Sequence, residues 1–256
     1  MTHYFIFFLL KSSIKLGHIV HCPGKCFFYN KITSKDRSLS ESRREKHMKK
    51  RIVCFGDSNT WGYNAAGGSR FDDNIRWTGR LQALLGPDYT VIEEGQNGRT
   101  TVMDDRYENR LAGLTYLWPC MESHYPFDLL VIMLGTNDTK NYFGASAKSI
   151  AAGAGRLVSL AMNSPFGRGN NPPKVLLVSP IKIEQRECFD YILGKHAEEK
   201  SKFFSQEFKA VAEQMGCYFL DAAEVASPCD EDGVHLDAEG HSRLAAAIAE
   251  MVREIV

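Results

Sequence analysis

Five short runs of aliphatic, β-branched and aromatic residues, each followed by a longer amphipathic stretch, constrain this chain more than any other feature. They are Ile52 to Phe55, Thr90 to Glu93, Leu129 to Leu134, Val175 to Val178 and Tyr218 to Leu220. A strand followed by a helix-length segment returns to pair parallel with its predecessor, whereas antiparallel neighbours need only a tight turn. The intervening segments carry helical periodicity around Trp77 to Leu85, Leu111 to Ser123, Ser146 to Met162 and Lys195 to Met215, with a last helix from Ala238 to Ile255. The strand runs are apolar enough to be covered on both faces. The expected fold is α/β: a three-layer α/β/α sandwich around a five-stranded parallel sheet.

Residues 1–47 differ in character from the rest of the chain. An apolar burst, Tyr4 to Leu10, gives way to basic and polar residues that end just before Met48. The burst is too short to span a bilayer, and Lys11 interrupts it too early for a signal-peptide core. The expectation is a leader over 1–47, disordered or an upstream extension, and one folded unit over 48–256. Thirty-one basic residues balance thirty-one acidic ones, so no net field favours nucleic acid or an anionic membrane. Seven cysteines is an odd number, and Cys54 and Cys217 fall in strand-like runs where a thiol behaves as a small hydrophobe. This usage points to a reducing, cytoplasmic setting. Cys22 and Cys26 lie near His18 and His21, but their spacing fits no zinc pattern and no downstream pair completes one.

In open parallel sheets, ligands bind beyond the carboxyl ends of the strands. Three of those ends carry polar, glycine-containing sequences: Gly56-Asp57-Ser58-Asn59-Thr60-Trp61-Gly62, Gly95-Gln96-Asn97-Gly98-Arg99-Thr100 and Gly135-Thr136-Asn137-Asp138. The fifth is followed shortly by Asp232-Gly233-Val234-His235. A serine hydroxyl becomes a useful nucleophile when a histidine takes its proton and a carboxylate fixes that histidine's tautomer. Ser58, His235 and Asp232 supply that set. Acyl transfer through a tetrahedral intermediate also needs fixed donors for the oxyanion. The backbone N–H groups of Ser58 and Gly98 and the side-chain amide of Asn137 are the candidates.

These blocks, in this order and at this spacing, resemble those of the SGNH (GDSL) hydrolases, from about Lys49 to the C-terminus. A narrower similarity is to bacterial arylesterases with perhydrolase and acyltransferase activity. It is carried by Cys54 to Gly62, Arg76-Trp77-Thr78-Gly79, Val91 to Gly95 and Ile132 to Lys140. The resemblance implies a Ser58, Asp232, His235 triad, an oxyanion hole of Ser58, Gly98 and Asn137, no metal or cofactor, and homo-oligomeric assembly. It also implies a small-molecule ester of short-chain or aryl type as substrate. Some relatives carry alanine at the position of Gly98, a change that a backbone donor tolerates. One alternative is an acyltransferase or perhydrolase that passes the acyl group to alcohol or peroxide. Another is a non-catalytic ligand-binding module on the same fold.

Gly56-Asp57-Ser58 alone reads equally well as an anion-binding turn; the company of Asn137, Asp232 and His235 favours the nucleophile. Asp57, Asp138 and Asp221 read as structural turn residues. Gly153-Ala154-Gly155-Arg156 and Gly240-His241-Ser242 read as helix surface or packing, not as nucleotide or nucleophile motifs. Of the aromatics, Trp61 and Tyr63 are the best candidates for the substrate pocket because they follow Ser58 directly. Trp77 reads as one face of the first helix.

Overall fold

A computed structural model describes residues 48–186, 193–194 and 196–256. The leader expected over 1–47 lies outside the described residues. Seven strands form among the described residues: β1 (Lys50–Gly56), β2 (Tyr63–Asn64), β3 (Ser69–Arg70), β4 (Tyr89–Gly95), β5 (Leu129–Met133), β6 (Lys174–Ser179) and β7 (Tyr218–Asp221). Five of them make one sheet in the order β4-β1-β5-β6-β7, every pairing parallel. β2 and β3 form a small antiparallel ribbon just after the first strand's turn. The helices are α1 (Ser58–Trp61), α2 (Trp77–Leu85), α3 (Gly113–His124), α4 (Ala147–Met162), α5 (Ala197–Ser201), α6 (Phe204–Met215) and α7 (Ala238–Ile255).

The strand period of two separates the two cores. Val53 and Phe55 of β1 share one face with Leu130 and Ile132 of β5. They pack under Leu117 and Met121 of α3, Ile150, Ala154 and Leu157 of α4, and Phe204 and Phe208 of α6. Ile52 and Cys54 point the other way with Leu129 and Val131, against Trp77, Leu81 and Leu85 of α2 and Leu244, Ile248 and Val252 of α7. In each helix the buried residues recur at three- and four-residue steps, the single stripe that a helix lying on a sheet needs. The result is the three-layer sandwich. Among the described residues, no helix is long and apolar enough to cross a membrane.

Two details differ from the sequence-based expectation. Neither edge strand is covered on both faces: Tyr218 of β7 is exposed, and all seven residues of β4 are only half buried. Its Glu93 is held by Arg76, Arg70 and Thr78, and its Glu94 by His124. The helix expected over Lys195 to Met215 is broken into α5 and α6. There Ser201 accepts the backbone N–H of Ile183 while donating to the carbonyl of Glu198, tying α5 to the segment after β6. The two glycine motifs are packing features. A Cβ on Gly153 of α4 would lie 2.3 Å from Oγ1 of Thr101. His241, fully buried in α7, accepts the backbone N–H of Trp77 through Nδ1 at 3.2 Å.

Candidate active site

The turn from β1 into α1 presents Ser58 at the first position of a four-residue helix. Asp57 caps that helix by accepting the N–H of Asn59 at 3.0 Å. Burial pushes the Asp57 carboxyl up to about 6, against the opposing pull of that N–H and of nearby His235. Ser58 Oγ lies 2.9 Å from Nε2 of His235, and His235 Nδ1 lies 2.6 Å from Oδ2 of Asp232. The other carboxylate oxygen of Asp232 accepts the backbone N–H groups of Val234 and His235, at 2.8 and 2.9 Å, and the thiol of Cys229 at 3.4 Å. Burial works to raise the Asp232 carboxyl, but the hydrogen bond and charge of His235 and the two backbone donors outweigh it and hold it at about 2. An ionised Asp232 accepts a hydrogen bond from Nδ1–H, which keeps the proton on that nitrogen, so Nε2 faces Ser58 as an acceptor.

Sequence reasoning gave Asn59 no role, yet it joins the two halves of this arrangement. Its Nδ2 donates to the carbonyl of Val234 at 3.2 Å, and its Oδ1 accepts the N–H of Leu236 at 2.9 Å. The amide therefore grips the backbone on either side of His235 from the residue next to Ser58. All these groups are buried, where such bonds hold geometry firmly because water cannot replace them. Its place directly after Gly-Asp-Ser is visible in the sequence; a contact spanning about 175 residues is not.

Gly98 and Asn137 come to the same cleft from the ends of β4 and β5. Nδ2 of Asn137 donates one hydrogen to the carbonyl of Arg99 at 3.1 Å, which leaves the second for a ligand. Asp138, fully buried, accepts both the N–H and the hydroxyl of Thr101, at 3.0 and 2.5 Å. Asn137 and Asp138 together fasten the loop that carries Gly98 to the end of β5. Burial raises the Asp138 carboxyl to about 7, although the Thr101 bonds pull it down. Gly98 has φ +76°, and a Cβ there would sit 3.0 Å from Oε2 of Glu108. In this chain an alanine at position 98 is therefore strained, unlike the free exchange expected for a backbone donor.

The cleft of about 170 Å³ is lined by Ser58, Gly98, Asn137 and His235, by Tyr63, Leu193 and Val234, and by the polar Asn97, Glu108 and Lys140. The Tyr63 ring lies against His235, with centroids 4.5 Å apart. Trp61 is not among the lining residues. Its ring lies under the Arg70 guanidinium at 5.3 Å, and its carbonyl accepts from Arg70 Nε. The structure thus brings Ser58, Asp232, His235, Gly98, Asn137 and Tyr63 together and leaves Trp61 beside the ribbon.

Among the described residues, Glu94, Cys120 and His124 form the one group whose ligand atoms lie close enough to share a metal ion, within 4.8 Å of one another. His124 and Glu94 already bond to each other at 2.6 Å, and burial pushes the Cys120 thiol up to about 12. None of the three lines the Ser58 cleft.

The sequence profile of the GDSL-like lipase/acylhydrolase family matches residues 54–243. Among solved structures, the M. smegmatis aryl esterase is 41% identical, with 81% of this chain and 100% of that one covered and a TM-score of 0.77. A carbohydrate acetylesterase from Sinorhizobium meliloti is 42% identical over 81% of this chain and 100% of its own, also at 0.77. A second carbohydrate acetylesterase family member from Sinorhizobium meliloti is 35% identical over 80% and 98%, again at 0.77. A search of curated proteins found no match.

Proposed function

The chain belongs to the GDSL-like lipase/acylhydrolase family, and from that premise we propose that it is a serine esterase cleaving short-chain or aryl carboxylic esters through an acyl-enzyme on Ser58. The observation that carries this reading is the hydrogen-bonded line from Ser58 Oγ through His235 to Asp232, at 2.9 and 2.6 Å. The aryl esterase and acetylesterase similarities support the same substrate class.

The steps follow from the geometry. Ser58 Oγ attacks the ester carbonyl as His235 Nε2 takes its proton, and Asp232 stabilises the imidazolium. The carbonyl oxygen becomes an oxyanion held by the N–H groups of Ser58 and Gly98 and the free hydrogen of Asn137. Collapse expels the alcohol, which receives the proton from His235. A water then loses a proton to His235, attacks the acyl-enzyme, and frees the acid while the proton returns to Ser58 Oγ.

The test is a panel of 4-nitrophenyl esters graded by acyl length, run on the wild type and Ser58→Ala. Activity is expected at the short end, with a drop of about 10³-fold or more in Ser58→Ala, the scale on which triad members matter. A serine-directed phosphonate should label Ser58. Retained activity in Ser58→Ala together with an unlabelled Ser58 would remove the reading, and an inert Ser58 would favour a binding module.

The apolar lining from Tyr63, Leu193 and Val234 favours a second outcome for the same intermediate, transfer to an alcohol or peroxide that competes with water. Product partitioning with added alcohol measures it. We also propose homo-oligomeric assembly, supported by the exposed Leu111, Tyr116, Trp118 and Tyr125 on and around α3; sedimentation velocity tests it. The free thiols of Cys54, Cys120, Cys217 and Cys229 support a reducing, cytoplasmic setting.

A further inference from the structure

The cleft has a second wall that the acyl-transfer steps leave unused. Lys140 is almost wholly buried, and its Nζ lies 2.8 Å from Asp105 and 2.8 Å from Glu108. Asp105 is saturated: besides Lys140 it accepts the Tyr142 hydroxyl at 2.6 Å and the N–H groups of Tyr107 and Glu108, each at 3.1 Å. Glu108 is not. One of its oxygens, Oε1, faces Lys140. The other, Oε2, sits beside Gly98 in the cleft and accepts no hydrogen bond among the described residues. Arg110 also passes Gly98, with Cγ 3.1 Å from where a Cβ would stand, but it makes no ion pair with Glu108 among the described residues. The Glu108 side chain is 35% exposed, so Oε2 is open to whatever fills the cleft.

A fixed carboxylate oxygen next to a shared ammonium discriminates by chemistry. An anionic group placed at Oε2 meets like charge on Glu108, and Lys140 is already engaged by two carboxylates. A cationic one competes with Lys140 for the same carboxylate. An alkyl group strips water from Oε2 and returns nothing, at a cost typical of an unsatisfied buried acceptor. A neutral hydroxyl restores the lost bond by donating to Oε2.

Resting on the esterase reading above, we propose that Glu108 determines specificity by accepting a hydrogen bond from a hydroxyl near the scissile ester. The preferred substrates are then hydroxylated esters rather than their alkyl counterparts. Two matched pairs test it: 2-hydroxyethyl acetate against propyl acetate, and ethyl glycolate against ethyl propionate. The wild type is expected to favour the hydroxylated member of at least one pair by about tenfold or more in kcat/KM, the scale of a hydrogen bond to a charged group. In E108A the ratio should fall toward one, chiefly through a higher KM for the hydroxylated ester. E108Q keeps the shape and one carbonyl acceptor and should retain part of the preference.

A wild type without preference in either pair, or a preference that survives E108A, overturns the proposal. An equal loss on all four esters in both variants does so too, because Glu108 would then only tether Lys140. A wild type that turns over none of the four, with Ser58 unlabelled by phosphonate, removes the esterase reading itself; turnover without preference removes only this inference.

Discussion

The two walls of the Ser58 cleft are held by different chemistry. On the triad side, buried side chains grip backbone: Asp232 takes two N–H groups, and Asn59 takes the carbonyl of Val234 and the N–H of Leu236. On the opposite side, between the segment 104–110 and Lys140, Asp105 accepts the backbone N–H groups of Tyr107 and Glu108, and the rest of the cluster is side chain on side chain through Lys140, Asp105, Glu108 and Tyr142. Backbone cannot change rotamer, so the first wall fixes the reacting atoms. An ion-pair cluster can exchange partners with a ligand, which suits the second to recognition. If the comparison is right, damage to the first wall or to the oxyanion donors should appear in kcat, and damage to the cluster of Lys140, Asp105 and Glu108 in KM.

The harshest test is Asp232→Asn. The amide donates to Nδ1 where the carboxylate accepted, so the histidine proton moves to Nε2 and can no longer receive the Ser58 proton. Removal of this carboxylate should lower kcat by about 10³ to 10⁴ with little change in KM. Because Asp232 is held at about 2, it stays ionised above pH 4, and no loss of rate in mildly acidic buffer should trace to it. A wild-type-like kcat in Asp232→Asn would break the claim that this wall serves the chemistry.

Asn137→Ala comes next. It removes one of three oxyanion donors, and deletions of that kind cost about 10² to 10³ in kcat. It also frees the carbonyl of Arg99, so the Gly98 loop should loosen as well. Hydrogen exchange on residues 96–101 separates the two effects: faster exchange with a small rate loss would make Asn137 chiefly a tether.

Asn59→Leu probes the clamp without touching the triad. Two buried partners lose their bonds, which should destabilise the fold by about 2–4 kcal/mol. Looser registration of His235 should lower kcat about tenfold, since small misplacements of catalytic groups are expensive. An unchanged kcat in a destabilised protein would show that the clamp serves stability alone.

Asn59 also marks where reading the sequence stops. The sheet, its order of elements and the bounds of α2 and α7 are legible because long periodic segments declare their covered faces. α1, β2 and β3 are too short to carry a period. The break between α5 and α6 has no glycine or proline to announce it, since it follows from the tie between Ser201 and Ile183. Ser58, Gly98, Asn137, Asp232 and His235 stand out because each follows a strand end in a recognisable block. Asn59, Glu108 and Lys140 act through partners far away in sequence or in an irregular segment, and neither spacing nor composition encodes such contacts. Trp61 is the converse: nearness to Ser58 in sequence points it at the cleft, and packing against Arg70 takes it elsewhere.

The mildest effect on rate should come from Asp138→Asn, whose signature lies in the pH dependence of stability. Burial moves the Asp138 carboxyl from 3.8 to about 7. The unfolded chain therefore gives up this proton near pH 4, while the folded chain keeps it to about 7. Across that interval the folded state binds more protons, so stability falls as pH rises. Asp57, raised to about 6, acts in the same direction. Asp232 and His241 act in the opposite sense: the window of Asp232 lies between 3.8 and about 2 and adds nothing above pH 4, while that of buried His241, from about 4 to 6.5, offsets part of the decline at its acid end. Urea midpoints should thus decline from pH 5 to pH 8 in the wild type, by an amount worth about 1–3 kcal/mol. The decline should be shallower in Asp138→Asn, which has no proton to lose there. Equal slopes in the two proteins would mean that the Thr101 bonds hold the carboxylate ionised throughout. The joint between the Gly98 loop and β5 would then be a fixed ion rather than a titrating one.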